Sequence, residues 1–445
     1  MESFNFSQNT GETVKPTAVL LIGMVADNSL ADVCRASLDE LRALVETALE
    51  DEPLPPRCFY LTQCKRSPES ATYIGSGKVK EAADLCKGEE VSLVVCDDEL
   101  TPSQIRNLEN AFDPDGSLSL RVIDRTMLIL DIFAAHAVTG EGKLQVEIAQ
   151  LKYTSPRLTG KGVSLSRQGG TSGAIGARGP GETKLETDKR HLASRIQSLK
   201  EELAVMTKER AVKRSKRLKS GIPSAAVVGY TNAGKSTLLN RLTDAGILAA
   251  DKLFATLDPT VRKLTLPSGS EILLTDTVGF ISRLPHGLIE AFRSTLDEVR
   301  YADLLLIVID ASDPQIEEKT RVTRELLSSL EAADKPTVFV FNKCDALAEP
   351  LKLPTDPDTV YVCLSALTGE GTQELLDAID DMLAESKRRV TFLIPFDKTS
   401  AVNHLYKNAV VESVDYLASG TKVTAFVSQK EIGQFGEWIL EEESK

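Results

Sequence analysis

The sequence predicts an α/β protein of several domains. An N-terminal α/β domain carries a helical hairpin, a central doubly wound and mostly parallel sheet is built on a phosphate loop, and a small α+β unit closes the chain. Three observations carry this. The chain has 445 residues, more than one ordinary core holds. Short β-branched runs alternate with helical patterns along most of it, as parallel βαβ units require. Gly229-Tyr230-Thr231-Asn232-Ala233-Gly234-Lys235-Ser236 fits G-x-x-x-x-G-K-[ST] without a gap, between a small-residue strand and a leucine-bearing helix, the context that this motif needs.

Composition narrows the classes. Apolar content is 42%, which belongs to a globular chain. A net charge of -13 argues against whole-molecule attraction to nucleic acid and leaves room for a local basic patch. The seven cysteines are scattered and form no C-x-x-C pair, so neither zinc nor a disulfide framework is expected, and reduced thiols in a cytoplasm fit. No apolar run approaches the ~18 residues of a membrane span. Ala18 to Ala26 is apolar, but Glu2 and Glu12 precede it where a signal peptide is basic, so it reads as a first strand.

Taken in order, residues 1–125 form the N-terminal domain. After the Ala18–Val25 strand, Leu30, Val33, Leu38, Leu41, Leu44, Val45 and Leu49 fall near helical spacing over 29–49. A short strand is expected at 58–61, a helix at 76–86 and a buried strand at 91–96. A helix opened by Pro102 ends near Phe112, and 118–123 is a further strand. The Ile74-Gly75-Ser76-Gly77-Lys78 turn reads either as a plain helix entry or as a second phosphate site.

Residues 126–221 are the hairpin. The helical stretch 126–153 places Leu144, Ile148 and Leu151 on one face, and Leu192, Ile196, Leu199, Leu203 and Met206 form a heptad-like seam. Between them, Thr154 to Gly181 holds eight glycines with Arg157, Lys161, Arg167 and Arg178 and no acid. It reads as a solvated linker or as a basic finger that orders on RNA. Lys208, Arg210, Lys213, Arg214, Lys216, Arg217 and Lys219 face one acid, Glu209, either a solvated helix face or a contact with nucleic-acid backbone.

Residues 222–388 hold a nucleotide site. Gly229 to Gly234 turn successive N–H groups, and the helix N-terminus at Thr237, toward a phosphate chain. Lys235 reaches the outer phosphates and the Ser236 hydroxyl suits magnesium. In Lys252 to Thr260, with Phe254 and Ala255, a threonine completes the magnesium shell and senses the terminal phosphate; Thr256 and Thr260 are both candidates. Asp276-Thr277-Val278-Gly279 ends a strand, so Asp276 takes a magnesium role through water and the Gly279 N–H meets the terminal phosphate. Asn342-Lys343-Cys344-Asp345 ends another strand. A carboxylate there accepts from guanine N1–H and the 2-amino group, whereas adenine would leave Asp345 unpaired. Asn342 fixes the loop, Lys343 lies along the base, and the Ser365-Ala366-Leu367 backbone meets the guanine oxygen. The ordered set predicts binding of GTP and GDP with hydrolysis.

The catalytic groups expected are Lys235, Gly279 and Asn232. Many GTPases place a water-orienting glutamine directly after D-x-x-G; here that residue is Phe280. Intrinsic turnover should therefore be slow. Asn232 reads either as a loop hydrogen bond or as a ligand for a potassium ion against the phosphates. Residues 389–445 form the last unit, with strands at 390–394, 409–414 and 422–426, a helix at 400–407, and a final helix carrying Ile432, Phe435, Trp438 and Ile439.

Beyond these motifs, Phe254 to Thr260, Asp276 to Phe280 and, above all, Gly179-Pro180-Gly181-Glu182-Thr183-Lys184-Leu185-Glu186-Thr187-Asp188 make the chain similar to the HflX family of ribosome-associated GTPases, over roughly residues 18–440. The resemblance implies binding to the large ribosomal subunit and its RNA, with the hairpin loop near the peptidyl-transferase region, and splitting of stalled ribosomes. It also implies ATP at the N-terminal domain, and a monomer is expected. A GTP-gated large-subunit assembly factor is the alternative. A tRNA-modification GTPase fits the Asn232 loop but would bring a different helical domain.

Overall fold

The computed structural model describes residues 16–155, 180–219, 222–243, 254, 260–283, 293–349, 351–353, 356, 359–385, 388–427 and 429–442. By contacts the chain divides into two compact units. The first is chiefly the N-terminal portion to Leu203, with Phe254; the second holds the other described residues.

In the first unit a parallel four-stranded sheet has the order β2-β1-β3-β4, with β1 Ala18–Val25, β2 Arg57–Cys64, β3 Leu93–Cys96 and β4 Arg121–Asp124. Helices α2 Ser76–Gly88 and α3 Pro102–Phe112 pack on Leu20, Ile22, Val94 and Val122 through Ala82, Cys86, Ile105 and Leu108. Helix α1 Ala31–Ala48 packs against α4 Arg125–His136. Thr101 caps α3 through a reciprocal pair with Gln104, and Pro102 follows it, a start that satisfies two otherwise orphaned N–H groups. Leu38, Leu41, Leu44 and Val45 are buried as their spacing predicts, but Leu30 and Val33 are exposed. Residues 28–30 form a separate 3-10 turn, which takes Leu30 out of the register of α1, and Val33 lies in the first turn of α1 on its exposed side.

The stretch expected as one helix over 126–153 is two, α4 and α5 Gly140–Thr154. Thr139 caps the second by accepting from Gly142 N at 3.0 Å. The cap supplies the start signal that splits the run. Leu144, Ile148 and Leu151 are buried together. Helix α6, Pro180–Lys219, has 40 residues. Leu199 on its seam is 1% exposed, and Arg195 pairs with Glu147 at 2.9 Å, a contact that suits the predicted hairpin. Most of the glycine–arginine stretch falls outside the described residues.

The second unit contains a six-stranded sheet, β10-β9-β8-β5-β7-β6, from β5 Ser224–Gly229, β6 Val261–Thr265, β7 Glu271–Asp276, β8 Leu304–Asp310, β9 Thr337–Asn342 and β10 Val360–Cys363. All pairs are parallel except β6 with β7. The strands β5 and β8 are apolar without alternation because both faces are covered. Helix α7 Lys235–Thr243 follows the phosphate loop, with Leu238 and Leu239 fully buried. Helix α10 Thr372–Glu385 joins the same core through Leu375 and Ile379, and helices α8 Arg293–Tyr301 and α9 Ile316–Ser329 pack against β5 and β8.

The final portion has β11 Arg388–Ile394, α11 Thr399–Asn408, β12 Val410–Leu417, β13 Gly420–Val427, α12 Gln429–Phe435 and β14 Ile439–Glu442. Its antiparallel sheet has the order β12-β13-β11-β14, a split βαβ arrangement. The expected final helix stops at Phe435. Residues 436–438 form a 3-10 turn, and Ile439 lies in an edge strand paired with Phe392. Phe435 and Trp438 still share the core face, their rings stacked 5.8 Å apart.

Candidate active site

The phosphate loop leaves β5 at Gly229, whose φ is +149°; a Cβ there would lie 2.2 Å from Val308 O on the neighbouring strand. Gly234 has φ +88°, and a Cβ there would fall 2.2 Å from Asn342 Nδ2. Both glycines are forced by backbone direction and by close approach. Asn232 takes the left-handed conformation, φ 62°, and is exposed, a conformation that asparagine tolerates better than most residues.

Lys235 is buried, and its Nζ donates to Tyr230 O at 2.7 Å. Burial lowers its pKa to about 8 despite the opposing pull of Asp276. Ser236 Oγ donates to Asp276 Oδ2 at 3.0 Å. Asp276, fully buried at the end of β7, also accepts from Thr277 N at 3.0 Å. Thr277 Oγ1 donates to Val227 O at 2.7 Å, tying the D-x-x-G segment to β5. Two hard oxygens thus sit side by side where β7 meets the loop, the donor type that magnesium prefers.

Across the site, Asn342 joins three segments. Its Nδ2 donates to Ala233 O at 2.8 Å, and its Oδ1 accepts from Ala366 N at 2.9 Å. Lys343 is left-handed at φ 64° and its Nζ pairs with Asp310 at 2.7 Å. Burial alone would raise the Asp310 pKa, but hydrogen bonds from Lys343 and Ser312 hold it below the usual range. The Asp345 side chain is exposed, Ser365 and Ala366 are buried, and Leu367 is exposed. The predicted phosphate and base segments therefore meet at the ends of β5, β7, β9 and β10. A guanine edge at Asp345 and a phosphate chain at Lys235 fit the two ends.

Known proteins resemble this chain along most of its length. Family models match in chain order: a GTP-binding GTPase N-terminal region over residues 35–134, a GTP-binding GTPase middle region over 136–217, a 50S ribosome-binding GTPase over 224–343, and an HflX C-terminal domain over 354–430. The GTPase HflX of Caldanaerobacter subterraneus subsp. tengcongensis is 48% identical over 392 residues, covering 88% of this chain and 87% of the relative. The chain belongs to the HflX family. The GTPase HflX of Escherichia coli K12 is 43% identical over 356 residues, with 79% and 81% covered. A GTP-binding protein of Sulfolobus solfataricus, solved with GDP, is 25% identical; 83% of this chain and 99% of that one align, with a TM-score of 0.42. As a member of the HflX family the protein is a GTP-hydrolysing enzyme.

Several contacts that hold this site together join residues of different segments. Phe280 is 2% exposed and pinned at both backbone groups: its N–H donates to Gly229 O at 3.0 Å, and its carbonyl accepts from Thr231 N at 2.7 Å. The Tyr230 hydroxyl lies 2.7 Å from Ser282 Oγ, and Lys319 Nζ sits 4.9 Å over the Tyr230 ring. Arg241 Nε on α7 donates to Ala366 O at 3.3 Å. None of these pairs is local in sequence, so no spacing announces them. Of the loop 252–260, Phe254 is described; it is buried, and its ring meets Phe133 edge-on at 4.6 Å. Ala255 and Thr256 lie outside the described residues. The Thr260 carbonyl accepts from Asp276 N at 3.0 Å.

One expectation is overturned here. Cys344 and Cys363 form a disulfide, Cα to Cα 6.5 Å, where reduced thiols were expected throughout. The reason is the parallel register of β9 and β10. Cys363 sits opposite Phe341, and the turn after Asn342 returns Cys344 to Leu364 O at 3.2 Å. Cys34, Cys58, Cys64, Cys86 and Cys96 form no disulfide. The basic run at the end of α6 is also partly internal. Arg210 and Arg214 approach Glu298 at 3.4 and 3.6 Å, and the Arg214 guanidinium stacks 4.3 Å over Tyr301.

Proposed function

We propose that this GTPase acts on ribosomes in the cytoplasm: it binds the large subunit in the GTP state, separates stalled ribosomes, and is released after hydrolysis. The observation that carries this is the ordered series of four family models along the chain, one of them described as a 50S ribosome-binding GTPase and matching 224–343. The basic residues of α6 left outside the Glu298 pairing, and the arginines between Thr154 and Gly181, supply groups suited to RNA phosphates.

In this reading Lys235 and the Gly279 N–H hold the terminal phosphate, and Asp345 with the Ser365-Ala366-Leu367 backbone reads guanine. Ser236, Asp276 and Thr256 would hold magnesium, which neutralises phosphate charge when bound. Asn232, exposed in its left-handed turn, would face a potassium ion; equal turnover in potassium and sodium buffers would remove that ion from the scheme. A second nucleotide at the Gly75 turn would have to displace Gln63 Oε1 from Gly75 N, at 2.8 Å, and Glu81 from Lys78, at 2.9 Å. We do not propose one.

The test mixes the protein with intact ribosomes and a non-hydrolysable GTP analogue, then sediments the mixture through sucrose. Conversion of ribosomes to free subunits is expected. Ribosomes that stay joined, with the protein co-migrating only with immature large subunits, would replace this reading by the assembly-factor one.

A further inference from the structure

The residue after D-x-x-G usually orients the attacking water, and here it is a buried phenylalanine that can neither donate nor accept. A hydroxyl stands in the phosphate loop beside it. Thr231 is 6% exposed, and its Oγ1 is buried without a hydrogen-bond partner among the described residues. An orphaned buried hydroxyl costs roughly 1–3 kcal/mol, so one kept at a reaction centre asks for a reason.

Its position supplies one. The Thr231 side chain lies where the terminal-phosphate groups converge: a Cβ added to Gly279 would come 2.7 Å from Thr231 Cγ2 and 2.9 Å from Lys235 Nζ. The Thr231 N–H holds the Phe280 carbonyl at 2.7 Å, so this residue also fixes the segment that lacks the glutamine. A rotation about one side-chain bond exchanges Oγ1 with Cγ2.

We propose that the Thr231 hydroxyl is a catalytic group for GTP hydrolysis, accepting a hydrogen bond from the attacking water and donating to an oxygen of the terminal phosphoryl group. The water oxygen forms a bond to the γ-phosphorus as the bond from that phosphorus to the β–γ bridging oxygen breaks. The leaving oxygen remains on GDP, and one water proton passes to the phosphoryl group, giving inorganic phosphate. Thr231 finishes as it began. The proposal rests on the chain being a GTPase; wild-type turnover tests that premise separately.

The experiment compares full-length wild type with Thr231→Val, Thr231→Ser and Thr231→Ala. Single-turnover GTP hydrolysis is measured with magnesium, GTP and GDP affinity by calorimetry, and folding by thermal melting. Valine keeps the shape and removes the hydroxyl. It should lower kcat at least about tenfold, the scale of a lost positioned proton partner, while GTP and GDP affinities stay within about twofold. Serine should restore turnover. If valine does not fold, alanine makes the same comparison. Unchanged kcat in the hydroxyl-free variants would overturn the proposal. So would a loss of GTP affinity that accounts for the whole effect, or a serine variant as slow as valine, since either makes Thr231 a binding or packing residue only.

Discussion

At the scale of single residues, two side chains set opposite ends of the nucleotide site. Asp345 can offer two acceptor oxygens to guanine, and Asn342 holds its loop against Ala233 and Ala366. Replacing Asp345 by asparagine turns one acceptor into a donor facing the 2-amino group. GTP affinity should fall by about 10² or more while ATP affinity does not change, as in other sites that read a polar edge; calorimetry with both nucleotides checks this. Lys235 sets the other end. Its buried ammonium has a pKa near 8 against an ordinary 10.5. The unfolded chain therefore binds the extra proton between those values, and stability of the nucleotide-free protein should rise with pH across that window. Nucleotide binding moves the other way. Phosphates restore the charge, so above about pH 8 binding must take up a proton and affinity should fall, by up to about tenfold per pH unit. Calorimetry in buffers of different ionisation heat would detect that proton; no uptake at pH 9 would mean that the lysine is charged throughout.

At the scale of elements, most boundaries follow from local chemistry. The α3 start is written in Thr101, Pro102 and Gln104, and the apolar runs of β5 and β8 mark strands covered on both faces. Two elements depend on partners elsewhere. Ile439 looks like the next turn of a helix, yet it becomes an edge strand because β11 offers a free edge. Cys344 and Cys363, 19 positions apart, meet only because β9 and β10 run side by side. A cross-link closing a loop of that length stabilises by about 3 kcal/mol. Reductant, or Cys344→Ser with Cys363→Ser, should lower the melting temperature of the second unit by several degrees; a melting curve indifferent to reductant would show the thiols open in solution. The same bond holds the segment before Asp345 to the one before Ala366, so the base-reading loops share a covalent brace.

At the scale of the whole molecule, an acidic chain carries one stretch, from Arg157 to Lys219, in which basic residues outnumber acidic ones. Arg210 and Arg214 belong partly to the packing around Glu298 and Tyr301, so they are poor choices for probing RNA contact. Arg167 and Arg178 are better ones. Changing both to alanine should reduce ribosome-stimulated turnover and leave GTP affinity intact. Unchanged stimulation would return that stretch to a linker. The N-terminal sheet is locked independently: Arg125 is buried and pairs with Asp97 at 2.6 Å and with Glu40. Removing Arg125 would take away the cation that pairs with the buried carboxylate of Asp97 and should lower the melting temperature.

By itself the sequence determined the α/β class, the phosphate loop, the base-reading strand end and the family, because each is written in residues a few positions apart whose backbone geometry is local. Tertiary structure decided what lies between those segments: the disulfide, the pinning of Phe280 by Gly229 and Thr231, the Arg241 support of Ala366, and a Thr231 hydroxyl with no partner among the described residues. Those contacts join residues tens of positions apart, and chain proximity carries no information about a distance set by strand order.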